Sequence, residues 1–145
     1  VLVGMGWMIV EEREEFETFL KLPSCVYLVL EKSGQIVGCG GYYVSQEQQE
    51  AGLCWGMVQR ELHGTGLGKR LLLERLNRIA GRLEATFIRL DTSQHTFSFF
   101  ERLGFVIEKI TPDGYWKGLD RYDMKLSLDV DTRQRIQRKH QEYQK

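Results

Sequence analysis

Apolar positions change their period several times along the chain, and each change marks an element. From Glu11 to Leu22, Phe16, Phe19 and Leu20 recur at helical spacing among charges, and the segment stops at Pro23; this predicts an amphipathic helix. Residues 26–30 form a short, β-prone apolar run. Lys32-Ser33-Gly34-Gln35 carries turn chemistry, and residues 36–45 read as the returning strand of a hairpin. Gly38, Gly40 and Gly41 inside that strand predict a bulge or a close backbone approach. Residues 46–50 are a polar turn, and 51–58 a third strand.

The period then lengthens. Leu71, Leu72, Arg75, Leu76, Ile79 and Leu83 fall on one face of a helix predicted over 68–83. Residues 86–90 read as a strand, and 96–103 as a helix ended by Gly104. Residues 105–110 and 121–128 are the last two predicted strands, with Thr111-Pro112-Asp113-Gly114 opening the connection between them. Beyond Leu128 the sequence turns polar, so 129–145 is either a solvated helix or a frayed tail. A strand–helix–strand step implies a parallel pair and the hairpins imply antiparallel ones, so the predicted fold is α/β with a mixed sheet. One domain over 1–128 followed by a polar C-terminal segment is the expected organisation.

Composition narrows the function. The chain has 145 residues, 42% hydrophobic and 28% charged, the balance of an ordinary globular domain. Its formal net charge is +0, which is not the basic footprint of nucleic-acid binding. Cys25, Cys39 and Cys54 are odd in number and lack a CxxC spacing. His63, His95 and His140 are scattered, so neither a disulfide framework nor a metal site is expected. No apolar run reaches a membrane span. The first ten residues lack a basic n-region and an initiator Met, so they do not read as a signal peptide, and the natural chain is expected to extend further. A cytoplasmic location is the default expectation.

One segment carries chemistry. The strand ending at Val58 runs into His63-Gly64-Thr65-Gly66-Leu67-Gly68-Lys69, which opens the helix over 68–83. Closely spaced glycines let successive N–H groups converge, and the first helical turn adds free N–H groups and the positive end of the macrodipole. Lys69 and Arg70 add full charges, and a pyrophosphate suits such a cradle. The pattern is neither the GxxxxGK[ST] loop nor the GxGxxG fingerprint, because Arg70 and Lys69 stand where those motifs need other residues.

A second block lies downstream, with Ser93, Thr96 and the run Phe99-Phe100-Glu101-Arg102-Leu103-Gly104-Phe105. Together the two blocks resemble the GNAT acetyltransferase superfamily. Val58 and His63–Gly68 sit in the register of that family's V-x4-[QR]xxGx[GA] signature. Ser93 to Phe105 sit in the register of its NxxAxxLYEKLGF signature. The resemblance covers about residues 11–128. It implies a central mixed, mostly antiparallel sheet with one splayed parallel pair and flanking helices.

It also implies an N-acetyltransferase using acetyl-CoA as cosubstrate, without a metal, on a small-molecule or protein amine. A homodimer is compatible with it, and neither nucleic acid nor membrane is expected as a partner. An acyl-CoA-binding regulatory module with weak or no catalysis is the alternative. By the resemblance, Met57 and Val58 offer main-chain partners to the pantetheine arm. His63, Gly64, Thr65, Gly66, Leu67, Gly68 and Lys69 surround the diphosphate, and Ser93 and Phe100 line the cofactor. The chain departs from the family at catalytic positions. Phe100 replaces a Tyr that often serves as the acid, Gly52 stands where some members place a glutamate base, and His63 and Ser93 replace Arg/Gln and Asn. Glu50, two residues from Gly52 on the same strand face, is the base candidate. Tyr115, in the connection before the last strand, is the acid candidate. The family's first strand has no clear counterpart before Glu11.

Overall fold

Hairpin pairing builds the first half of the sheet. In the computed structural model, which describes residues 17–144 other than 19, 23 and 63, β1 (Cys25–Lys32) turns at Ser33-Gly34 into β2 (Gln35–Ser45). A polar turn then leads into β3 (Glu50–Val58). Helix α1 (Leu67–Ala80) crosses to β4 (Phe87–Thr92), followed by the short α2 (Phe97–Glu101), β5 (Val106–Trp116), β6 (Leu119–Ser127) and α3 (Val130–Tyr143). The six strands lie in the order β1-β2-β3-β4-β6-β5. Only β3 and β4 run parallel; the other neighbours are antiparallel. This is the mixed sheet expected from the sequence. The helix predicted over 11–22 falls largely outside the described residues.

The core forms where α1 meets the sheet. Leu72, Leu76 and Ile79 join Ala51 and Leu53 of β3, Ile88 and Leu90 of β4, and Met124 and Leu126 of β6 in one buried cluster. Alternation then sends Gly52, Cys54, Arg89 and Asp91 to the opposite face of the sheet. The glycine-rich β2 carries the predicted irregularity, a register shift between Cys39 and Gly41. A Cβ on Gly40 would sit 2.8 Å from the Arg75 guanidinium carbon. That guanidinium, 4% exposed, donates to the carbonyls of Gly41 at 3.1 Å and Cys54 at 3.5 Å. The glycine is there because a charged α1 side chain packs against the bulge.

The end of α1 and the turn between β5 and β6 differ from expectation, each for a local reason. Helix α1 ends at Ala80 with Gly81 as its cap, so Leu83 lies beyond the apolar stripe and is 79% exposed. Residues 111–114 belong to β5 rather than to a connection, and the turn is Lys117-Gly118. Pro112 is tolerated because β5 is an edge strand and its ladder is broken between Thr111 and Trp116. Asp113 holds the hairpin end. Its carboxylate accepts from the Gly118 N–H at 2.7 Å, and its own N–H donates to Asp120 at 2.9 Å.

The polar C-terminal segment is a docked helix. Asp129 caps α3 by accepting from the Thr132 N–H at 2.7 Å. Its inner face is Arg133, Ile136, His140 and Tyr143, at helical spacing. Ile136 enters the core, while Arg133 donates to the carbonyls of Leu128, Ala80, Arg82 and Ala85. His140 Nε2 meets Glu74 Oε2 of α1 at 2.5 Å.

Candidate active site

The parallel pair opens almost as soon as it forms. Strands β3 and β4 share three rungs, Glu50–Phe87, Ala51–Ile88 and Gly52–Arg89. Beyond them no rung joins 53–58 to 90–92, although β3 stays on β2 through Val58 and β4 stays on β6 through Thr92. The sheet therefore holds a wedge with its apex near Leu53 and Leu90. A cavity of about 20 Å³ lies there, bordered by Cys54, Gly56, Asp91 and Phe100, with room for one water or a group of methyl size.

The glycine loop stands at the open end of the wedge. Gly64 and Gly66 take left-handed conformations, with φ of 79° and 86°. The Gly66 carbonyl accepts the first α1 bond from Arg70 N–H at 3.0 Å. Thr65 closes the preceding turn, its hydroxyl donating to the Leu62 carbonyl at 2.5 Å. A Cβ on Gly68 would lie 3.8 Å from a Val58 methyl, so the glycine faces the end of β3. Here a cavity of about 590 Å³, the size of a small-molecule site, lies between the loop and α2. Val58, Gly64, Gly66 and Gly68 line one side, Thr96 and Phe99 the other, and Lys69, His95 and Arg102 bring basic side chains.

Tyr143 of α3 also reaches this cavity. Its hydroxyl is 2.8 Å from where a Gly66 Cβ would lie, and its ring is 5.2 Å from the Lys69 ammonium. Nothing in the sequence pointed to it, because the segment that carries it has a single buried apolar residue, Ile136.

The remaining predicted residues fall as follows. Met57 pairs with Cys39 and Val58 with Gly38, so the other edge of their strand borders the wedge. Leu67 begins α1. His63 lies outside the described residues. Ser93 is buried, and its hydroxyl accepts from the His95 N–H at 3.2 Å. Phe100 is buried against Phe99 and Phe105, with centroids 5.2 and 5.9 Å away, and lines the apex.

Glu50 sits at the closed end of the parallel pair, 3.3 Å from Arg89 Nε. The ring of Tyr43 lies across Gly52, its hydroxyl 2.6 Å from where a Cβ would be. It fills the space a longer residue at 52 would need. Burial and the nearby Glu50 charge push the Tyr43 hydroxyl up to about 12. Tyr115 donates to Asp91 Oδ2 at 2.5 Å, and burial followed by this carboxylate raises its pKa above the usual 10.

A splayed parallel pair with a glycine-rich helix entrance at its mouth makes a cleft suited to an extended ligand with an anionic end. The family model described as "Acetyltransferase (GNAT) domain" matches residues 7–128, and the chain belongs to this family. No curated protein matches it significantly. Among solved structures it is similar to the ribosomal-protein-S18-alanine N-acetyltransferase from Escherichia coli. That match has a TM-score of 0.71 and 20% identity, over 81% of this chain and 77% of that one. It is also similar to a Bacillus subtilis acetyltransferase in complex with CoA (TM-score 0.68, 18% identity, 83% and 86% covered). An aminoglycoside 6'-N-acetyltransferase complexed with coenzyme A matches comparably (TM-score 0.68, 17% identity, 83% and 82% covered). At these identities the likeness shows the fold.

Proposed function

We propose that this chain is an N-acetyltransferase that moves an acetyl group from acetyl-CoA to a primary amine of a small-molecule or protein acceptor. The observation that carries the reading is the wedge between β3 and β4 with the Gly64–Gly68 cradle at its mouth. The residues present fit the cosubstrate. Left-handed Gly64 and Gly66 line the cavity, the α1 terminus adds positive potential, and Lys69 and Arg102 supply charge for phosphates. The β3 edge at Met57 and Val58 suits an extended arm that pairs as a strand does. In this reading a main-chain N–H of that strand polarises the thioester carbonyl. The small apex suits an acetyl methyl better than a longer acyl chain.

An amine must be neutral to attack, so a base is needed, and the departing thiolate needs a proton. With Phe100 unable to donate, Tyr115 takes the acid role in this reading, held protonated by its surroundings. The acceptor reaches the wedge from the sheet face carrying Cys54 and Asp91, opposite α1. Among the described residues no helix is long and apolar enough to cross a membrane, and no group of three or more acidic, His or Cys side chains could hold a metal.

Thiol release from acetyl-CoA over a panel of amines, alongside calorimetry with CoA and with ATP, tests the reading. Transfer to at least one amine and CoA-selective binding are expected. Tight acetyl-CoA binding without transfer would instead make the chain an acyl-CoA-binding module. ATP binding without CoA binding would end the reading.

A further inference from the structure

The reaction needs a base at the wedge, and the family's glutamate position is Gly52, covered by Tyr43. Glu50 lies on the correct face but at the closed end. Cys54 marks the apex level four residues on, about 13 Å away at 3.3 Å per residue. Glu50 is also paired with Arg89. Asp91, its cross-strand neighbour Asp123 and Glu108, 3.6 Å from Arg89, are further carboxylates on this face, and of these Asp91 is the one that borders the apex cavity. It lies two residues past the last rung, directly at the apex cavity and on the side away from α1. Its side chain is 39% exposed, so an acceptor can reach it.

Its neighbours hold it in place without consuming it. Tyr115 of β5 donates to Oδ2 at 2.5 Å. Arg121 of β6 is 3.9 Å from Oδ1 but closer to Asp123, at 3.1 Å. Cys54 of β3 and the buried Arg75 of α1 border the same cavity. The Cys54 thiol is pushed up to about 12 by burial, so it stays a neutral wall rather than a competing nucleophile.

We propose that Asp91 is the general base of this transferase and that Tyr115 completes a proton relay with it, an inference that rests on the transferase reading above. The Asp91 carboxylate takes one proton from the acceptor ammonium. The freed lone pair forms the N–C bond at the thioester carbon, and the C–S bond breaks. Tyr115 gives its hydroxyl proton to the departing thiolate and recovers one from the Asp91 carboxyl through the hydrogen bond already in place. A second proton leaves the nitrogen for solvent. An ammonium and a thioester thus become an amide, a thiol and one released proton. The coupling matters because burial and the adjacent carboxylate make a free Tyr115 phenolate costly. The return of the proton from Asp91 means that none accumulates.

Two amines of different basicity test the role. Hydroxylamine is already neutral at neutral pH and needs no base, whereas ethylamine and spermidine arrive protonated. Asp91→Asn is expected to slow transfer to the protonated amines about 100-fold and transfer to hydroxylamine only about tenfold, because hydroxylamine escapes the loss of the base but not the loss of the proton return to Tyr115. Acetyl-CoA affinity measured by calorimetry should be unchanged. A second readout needs no turnover. In the ligand-free protein, ultraviolet titration of phenolate should show one tyrosine ionising at lower pH in Asp91→Asn than in wild type, and that tyrosine should be missing from the titration of Tyr115→Phe. Equal slowing with both kinds of amine, or a selective loss in Glu50→Gln while Asp91→Asn keeps wild-type rates, would overturn the proposal. A wild-type chain that binds acetyl-CoA yet acetylates neither kind of amine removes the transferase reading and this base with it. One that acetylates protonated amines equally well without Asp91 removes only the base.

Discussion

Arg133 gives the sharpest test of how α3 is attached. Its guanidinium donates through Nε to Leu128 O at 3.2 Å, through Nη1 to Ala80 O at 3.0 Å and Arg82 O at 3.1 Å, and through Nη2 to Ala85 O. These carbonyls belong to the end of α1, the loop after it and the exit of β6. The side chain therefore ties three segments to the C-terminal helix. Hydrogen bonds from a charged donor contribute about 1.5–3 kcal/mol each, but four on one group are not additive, and some of the carbonyls rehydrate when it is removed. Arg133→Ala is therefore expected to cost about 2–4 kcal/mol in all. At about 3 °C per kcal/mol for a domain of this size, the melting temperature should fall by about 6–12 °C. Arg133→Lys should recover only part of the loss, because one ammonium cannot fork across the same carbonyls. Thermal melts followed by circular dichroism read the effect. A loss of less than about 2 °C in Arg133→Ala would refute the view that this fork anchors the helix.

Gly66→Glu places a side chain on a left-handed residue, meets the Tyr143 hydroxyl and brings a negative charge into the cradle. Acetyl-CoA affinity by calorimetry should weaken by roughly tenfold or more, and unchanged affinity in the folded variant would move the diphosphate elsewhere. Gly52→Glu should lose about 1–3 kcal/mol by urea denaturation because it collides with the Tyr43 ring. Much of that loss should return in the double variant with Tyr43→Ala, and simple additivity would contradict the packing. His140 and Arg78 hold the Glu74 carboxyl below its ordinary 4.5. A depressed pKa stabilises the fold fully above that value and ceases to do so as the pH falls through the lower, folded one. The urea midpoints of Glu74→Gln and wild type should differ above the ordinary carboxylate range and converge as the pH falls through the lowered, folded value; a constant gap would exclude the pair as a source of acid sensitivity.

Much of this was legible in the residues. Strong periodicity located α1 and the hairpins, and Gly38-Cys39-Gly40-Gly41 announced the bulge that Arg75 occupies. The glycine loop and the Ser93–Phe105 block gave the cradle and its facing helix. What escaped was held by polar partners rather than by an apolar stripe. Helix α3 docks through Arg133 and His140 with only Ile136 in the core, so its inner face looks like solvated surface and Tyr143 goes unnoticed. Pro112 read as a turn because its missing N–H matters inside a sheet, yet β5 is an edge where no rung needed it. Asp91 passed without comment because its importance comes from where two strands part, a tertiary fact that no local pattern encodes.

With only three rungs between β3 and β4, the sheet is two antiparallel halves sewn together by a short seam. A guest that lies along the open edges extends the stitching. Amide hydrogen exchange along residues 53–58 and 90–92 should then slow when acetyl-CoA is added, although no protein strand has moved into the opening. The tether would work as a removable extra strand, and the two halves would be most firmly joined while it is in place.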